Sequence, residues 1–331
     1  MFIPLHKKDI LALTKRRKFE TKIGEKVSVG SVSQLSKKGV DFVIFGVEES
    51  IGPRANMGRS GSERAWFSFL DSFLNTQENK LINVSKIGIL GSFKYSSNNS
   101  DLNFLREKTS EIDSDVKLVV EKIISFNMIP ILIGGGHNNA LPLISGFHSA
   151  KGHSLNVINC DPHADIRPIE GRHSGNSFSY AINSNYLENY YVLGLHQNYV
   201  SDNTFSTIED VNKKRERIRF SFYDDWIYGD KSFKKDLVDG IKFIDKKKYT
   251  GIEFDMDSIA FMPSSAVSPC GISLQEARIF ISLCSKNLNT AYLHLPEAAP
   301  KSKDEEIIVG KALTYLVIDF IKINLNKRSK I

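Results

Sequence analysis

Leu155-Asn156-Val157-Ile158-Asn159-Cys160-Asp161-Pro162-His163-Ala164-Asp165 changes character at its middle: a mostly apolar run gives way to a carboxylate, an imidazole and a second carboxylate, spaced two apart. A short apolar run of this kind reads as a strand buried on both faces, which is the mark of a parallel sheet. Outward from it, similar runs recur at Phe42 to Phe45, Ile87 to Leu90, Ile129 to Ile133, Tyr190 to Leu195, Tyr249 to Phe254 and Ala291 to Leu295. Between them lie segments with apolar residues three and four apart, clearest at Asp115 to Phe126, Ser273 to Cys284 and Glu305 to Asn324. Asp113 and Asp115 mark the start of the first, Ser273 with Glu276 three residues on caps the second, and Asp304 caps the third. Alternating strands and helices predict an α/β fold, because parallel neighbours need crossover connections and a buried sheet needs a cover on each face.

No repeat and no Pro- or Ser-rich linker divides the 331 residues, so one domain over 1–331 is expected. Gly52 to Trp66 reads as a long surface loop, Ser96 to Ser100 as a polar loop, and Leu325 to Ile331 as a frayed tail. Apolar residues at 41% and charged residues at 25% fit a soluble globular chain. The apolar runs fall far short of the ~20 residues that a membrane span needs, and no export signal is visible. Three cysteines, Cys160, Cys270 and Cys284, without C-x-x-C spacing, suggest neither a disulfide framework nor a thiolate zinc site. A reducing, cytoplasmic compartment is expected. Net charge is 44 − 38 = +6, but the basic clusters are scattered among acidic residues, so nucleic acid is not an expected partner.

In open parallel sheets ligands bind beyond the carboxyl ends of the strands. Three of those ends carry metal-type ligands: Gly134-Gly135-Gly136-His137 after one run, Asp161-Pro162-His163-Ala164-Asp165 after another, and Asp255-Met256-Asp257 after a third. Residues i, i+2 and i+4 of an extended chain project to one side, so Asp161, His163 and Asp165 can converge, as can Asp255 and Asp257. Four carboxylates at ~4 Å would repel by about 4 kcal/mol per neighbouring pair at an effective dielectric of 20, so the cluster calls for cations. Hard oxygens with two imidazoles and no thiolate suit Mn²⁺ better than a tetrahedral zinc site, with Fe, Co, Ni and Zn left open. The glycines lead into His137-Asn138-Asn139, without the Lys and Ser/Thr of a phosphate-binding loop.

These residues resemble the ureohydrolase family of arginase, agmatinase and formimidoylglutamase, over most of the chain. Arg54 to Gly61 is similar to its early glycine-rich loop, the three ligand stretches to its metal motifs in order, and Glu297-Ala298-Ala299-Pro300 to its late Glu-x-x-Pro motif. The resemblance implies a three-layer αβα, arginase-like fold with an eight-stranded, mainly parallel sheet and two Mn²⁺. On that pattern His137 and Asp165 bind one ion, His163 and Asp257 the other, and Asp161 and Asp255 bridge. It also implies attack by a metal-activated hydroxide on a small amidine or guanidine, with Glu297 pairing with the substrate's cationic nitrogens, in a homo-oligomeric enzyme.

Within the family, Arg167 and Ser174-Gly175-Asn176-Ser177-Phe178 are similar to formimidoylglutamase, where arginase-like chains have Asn and a proton-shuttling His. Arg167, with Arg172, Ser174 and Asn176, is expected to bind a glutamate-type carboxylate, giving glutamate and formamide. Urea release from arginine or agmatine, and a silent binding protein, remain the alternatives. His173 and His196 are weighed as a replacement shuttle and a site neighbour, each against a structural role, and Cys160 as core. The third motif departs from the family: Glu253 stands where Ser is usual, and Ser258-Ile259-Ala260-Phe261 lacks the trailing Asp-Pro, so the support behind the ligands is expected to differ.

Overall fold

The computed structural model describes residues 1–328. Its ten strands are β1 (Phe2–Pro4), β2 (Ser28–Val29), β3 (Phe42–Glu48), β4 (Ile87–Lys94), β5 (Ile129–Ile133), β6 (Leu155–Cys160), β7 (Leu187–Leu195), β8 (Ile218–Phe222), β9 (Tyr249–Phe254) and β10 (Asn289–Leu295). They form one sheet in the order β1-β4-β3-β5-β10-β9-β6-β7-β8, with β2 also on β4. Every pairing is parallel except β1 on β4. Strands β3 to β10 are the expected eight; β1 and β2 are short additions along one edge.

Both faces are covered, which is why the central strands are continuously apolar. On one face Trp66, Phe69 and Phe73 pack with Phe280, Leu313 and Phe320 from helices Ala65–Leu74, Leu274–Asn287 and Lys303–Arg328. On the other, Leu105, Val116 and Ile123 of helix Leu102–Ser125 pack with Leu143 and Phe147 of helix Ala140–Lys151. The three-layer expectation holds.

Several boundaries move. The first helix begins at Leu102, not near Asp115, because the Asp101 side chain accepts from the Phe104 N–H at 2.8 Å and caps it there. Ser273 and Glu276 form the expected capping box, whereas Asp304 lies inside the first turn of its helix and the Ser302 hydroxyl accepts from the Glu305 N–H. Gly52 to Trp66 is not all loop: Ile51–Ala55 is helical, with the Gly52 N–H bonded to the buried Glu49 carboxylate, and Trp66 already belongs to the next helix. Of the expected tail, Leu325 to Arg328 continue the last helix and 329–331 lie outside the described residues. No helix among the described residues is long and apolar enough to cross a membrane.

Candidate metal centre

Strands β5, β10, β9 and β6 lie side by side, and each ends in a turn that carries site residues. After β5, Gly134 and Gly135 have φ of +82° and +67°, a region that L side chains rarely enter. A Cβ on Gly135 would stand 2.6 Å from Asn139 Nδ2. The buried Glu49 carboxylate accepts from the Gly136 N–H (2.8 Å) and from Asn139 Nδ2 (3.1 Å), fixing the turn that presents His137.

Asp161 and Asp255 leave β6 and β9 in the same way. One oxygen of each accepts the backbone N–H two residues on, from His163 and Asp257, both at 2.7 Å. The other oxygen faces His137 Nδ1, at 3.1 Å from Asp161 and 3.0 Å from Asp255. Asp165 completes the group, its Oδ2 also 3.0 Å from Nδ1. The ligands converge through these two turns and a left-handed Asp165 (φ +49°), not through an extended strand: β6 stops at Cys160. On the outer side, His163 Nδ1 stands 3.5 Å from Asp161 Oδ1 and 4.0 Å from Asp257 Oδ2, stacked on Tyr199.

The donor set fits hard divalent cations. Three carboxylate oxygens stand 3.0 to 3.1 Å from His137 Nδ1 with no thiolate among them, the hard-oxygen and imidazole set that such ions prefer. The electrostatics agree. Burial, then Asp257 and Asp161, pushes the Asp255 carboxyl well above the usual range; burial and Asp161 raise Asp165, and burial raises Asp257. Burial opposes charge on Asp161 too, but its contacts with His137 and His163 hold it low. Against burial, the same carboxylates push His137 and His163 up, so the cluster draws positive charge to itself.

A cavity of about 310 Å³ opens over the cluster. Its wall includes His163, Asp165, Asp255, Asp257, Glu297, Arg167 and Ser174, with His137 and Asp161 sealed beneath. Glu297, at the turn after β10, has φ +67° and is locked by hydrogen bonds from its N–H to Gly135 O and from the Ser265 N–H to its O, both 2.9 Å. Its Oε1 accepts from the His137 N–H at 2.7 Å; its Oε2 is buried with no hydrogen-bond partner. Burial and the Asp257 charge push its carboxyl up to about 8. Arg167 is exposed at the rim, its Nη1 donating to Asn56 Oδ1 at 2.8 Å.

Arg172 and Asn176 do not reach the cavity, which corrects their expected substrate role. The Arg172 guanidinium is 5% exposed and donates to Asp113 (2.6 Å), Asn176 Oδ1 (2.5 Å) and Asn138 O (3.0 Å). Asn176 spends its amide on Pro168 O and Gly171 O. His173 is buried, its Nδ1 accepting from the Gly175 N–H, and burial pushes its pKa down to about 4. His196 is stacked between Tyr199 and Tyr223, off the cavity. Phe178, where arginase-like chains place a shuttling His, is buried edge-on against His137. Cys160 is core, as expected.

Sequence reasoning missed Glu49, Asn56 and Tyr199, which lie in or behind the wall, and left Glu253 as an oddity. Glu49 follows β3 as His137 follows β5, and that strand-end placement was the available signal. In place of the missing Asp-Pro, the Ser258 hydroxyl donates to Cys160 O (2.9 Å) and the Ala266 N–H to Asp257 (3.1 Å).

Fold and site together define one class, and the arginase family model matches residues 41–320: the chain belongs to the arginase family. Among its relatives, Streptococcus gordonii formimidoylglutamase is 26% identical over 252 residues, covering 71% of this chain and 70% of that one. Clostridium tetani formimidoylglutamase is 24% identical over 306 residues, covering 86% and 83%. A variant of Trypanosoma cruzi formiminoglutamase solved with Mn²⁺ shares the fold at a TM-score of 0.76 and 20% identity, covering 92% of this chain and 98% of that one.

Proposed function

We propose that this protein is a manganese-dependent amidine hydrolase that converts N-formimidoyl-L-glutamate and water to L-glutamate and formamide. The carrying observation is the arrangement of one cavity: Glu297 with a free carboxylate oxygen and the Asp/His cluster on its floor, Arg167 and Ser174 on its wall. The names of the curated relatives support the choice of amidine. His137, Asp161, Asp165 and Asp255 would hold one cation, and His163 and Asp257, with Asp161 and Asp255 shared, the second. Such a pair of ions supplies activated water and charge stabilisation for attack on the amidine carbon.

The chain's own residues do the rest. Glu297 Oε2 accepts from the cationic amidinium N–H groups and aims the carbon at the cluster. Arg167 offers a planar pair of donors to a substrate carboxylate and the Ser174 hydroxyl adds a hydrogen bond. Water adds to the carbon, one of its protons passes to the glutamate nitrogen, the bond from the carbon to that nitrogen breaks, and the carbon leaves as formamide with the other nitrogen. We include in the proposal a homo-oligomer and a reducing, cytoplasmic compartment, the latter in keeping with the three free cysteines.

The test is a substrate panel on the Mn²⁺-loaded protein, with formamide and urea measured separately. Formamide and glutamate from formimidoyl-glutamate are expected. Urea from arginine or agmatine without formamide would overturn the substrate, and full metal uptake with no amidine hydrolysed would overturn the activity.

A further inference from the structure

Glu253, Tyr292 and His294 lie outside the cavity and outside the proposed ligand set, yet they form a fully buried ionisable cluster directly behind His137. Glu253, Tyr292 and His294 are all 0% exposed. The Glu253 carboxylate accepts from the Tyr292 hydroxyl at 2.7 Å, meets His294 Nδ1 at 2.6 Å, and stands 3.3 Å from His137 Nε2. We propose that Glu253 is a positioning residue for His137: it faces the Nε2–H and keeps the proton on that nitrogen, so that the Nδ1 lone pair is presented to the cation held by Asp161, Asp165 and Asp255.

The backbone builds this contact deliberately. Glu253 on β9 is directly opposite His294 on β10 in the parallel register, and Tyr292 and His294, two apart, share a face. Tyr292 reaches the carboxylate only because its partner across the ladder is Gly251: a Cβ there would sit 2.2 Å from Tyr292 Cζ and 2.4 Å from its hydroxyl. Tyr292 thus holds Oε1, and Oε2 is shared between His294 Nδ1 and the more distant His137 Nε2. The Glu253 to His137 approach is an ion-pair contact without the alignment of a closed hydrogen bond, and His137 Nε2 has no hydrogen-bond partner among the described residues. The ring is also boxed edge-on by Phe178 (5.4 Å) and His294 (5.7 Å), so its plane is set by packing.

A network that merely satisfied itself would gain little here, because a buried carboxylate held by neutral donors is no more stable than an apolar filling of the same volume. A carboxylate behind a metal-binding histidine has a specific effect: it fixes the tautomer and makes the ligand nitrogen a stronger donor. The serine usual at this place in the family is replaced here by a residue that carries charge.

The inference rests on reading His137 as a metal ligand and is independent of which amidine is cleaved. Glu253→Gln keeps the shape and removes the charge. Titration of the metal-free protein with Mn²⁺ alone should show two ions binding to the wild type; in Glu253→Gln one should bind as before and the other roughly 10–100-fold more weakly. The spin-coupled two-manganese signal in electron paramagnetic resonance should fade in step. With excess Mn²⁺, kcat should fall while KM holds, since Glu253 does not line the cavity. Tyr292→Phe, which removes only the donor remote from His137, should bind both ions as the wild type does.

Wild-type affinity at both sites in Glu253→Gln, or equal losses in the two variants, overturns the proposal. Should Glu253→Gln not fold, nitrogen-15 spectra of the Zn²⁺-loaded wild type decide: a His137 proton on Nε2, shifted far downfield, supports it, and one at the free-imidazole position overturns it. Two-ion binding without formamide release ends the proposed reaction and leaves this inference intact; formamide release with unaltered metal affinity in the variant does the reverse.

Discussion

Arg167 and Arg172 stand five residues apart in one loop and do opposite things, and the difference is burial. Arg172 is closed in with Asp113, which is 12% exposed, so removing the arginine strands a buried carboxylate. Losing one partner of a buried pair costs about 3–5 kcal/mol. With an unfolding entropy of ~2.1 cal/mol/K per residue, 331 residues give ~0.7 kcal/mol/K, so Arg172→Met is expected to lower Tm by roughly 4–7 °C and leave KM nearly unchanged. Arg167, exposed at the cavity rim, should behave in reverse. Charge-assisted hydrogen bonds of about 1.5–3 kcal/mol translate into a KM for formimidoyl-glutamate raised roughly 10–150-fold in Arg167→Met, with Tm unmoved. Calorimetry and steady-state kinetics on the two variants check both, and an Arg167→Met enzyme with wild-type KM would remove Arg167 from substrate recognition. The sequence shows why the pair looked alike. Both arginines follow the second ligand stretch, but the residue that claims Arg172 lies 59 positions away on helix Leu102–Ser125, where no local pattern announces it. Of the six Asp and His residues proposed as ligands, five were legible as one triplet and one pair in single turns, and His137 by the glycine turn before it. The order in which carboxylate oxygens cap the following N–H groups was not, since extended-chain geometry gives the same spacing.

Elements were legible in proportion to how fully they are buried. Strands β5, β6 and β9 match the apolar runs residue for residue because both their faces are covered. Edge strand β8 alternates, Ile218-Arg219-Phe220-Ser221-Phe222, with one residue exposed, and such a segment does not stand out as a run. Helix Leu102–Ser125 was read as half its length because its first turns carry Arg106, Glu107 and Lys108 outward and only Leu105, Thr109 and Ile112 inward. What joins neighbouring strands at their entry ends is equally invisible to periodicity. Glu188 in β7 accepts from Lys248 Nζ (2.7 Å), ahead of β9, and from Ser154 Oγ (2.9 Å), ahead of β6, so one carboxylate ties three adjacent strands. The Lys248 hydrogen bond above all pushes its pKa down to about 2. A carboxylate depressed in the folded state stabilises above its unfolded pKa, near 4.3, and that contribution is lost as pH falls towards about 2. The side chain is partly exposed, so screening reduces the effect to about 1 kcal/mol. Urea unfolding should therefore show Glu188→Gln less stable than the wild type by about 1 kcal/mol at pH 7, with the gap closing between about pH 4.3 and 2. A gap that stays constant across that window would mean that Glu188 acts through packing instead of charge.

At the scale of the molecule, the strand order is what makes a metal centre from distant stretches. The chain lays down β5 and then β6 three places further along, leaving a gap that β9 and β10 fill more than 85 residues later, so the turns bearing His137, Asp161, Asp255 and Glu297 become neighbours only when the whole sheet is closed. Assembly of the centre is thus coupled to global folding, and a cation that binds only the folded chain must stabilise all of it. Held at about 100 times its dissociation constant, one ion adds about 2.7 kcal/mol, which at ~0.7 kcal/mol/K raises Tm by about 4 °C, and two independent ions raise it by about twice that. Scanning calorimetry of the chelator-treated protein with and without Mn²⁺ measures the shift. Asp255→Asn should nearly abolish it, because that carboxylate faces His137 of one turn and holds Asp257 within its own. The metal-free variant should match or exceed the metal-free wild type in Tm, since burial and its neighbours Asp257 and Asp161 already disfavour charge at that position. A wild-type Tm indifferent to Mn²⁺ would mean that these ligands come together for packing alone, and a full shift retained in Asp255→Asn would place the ions elsewhere.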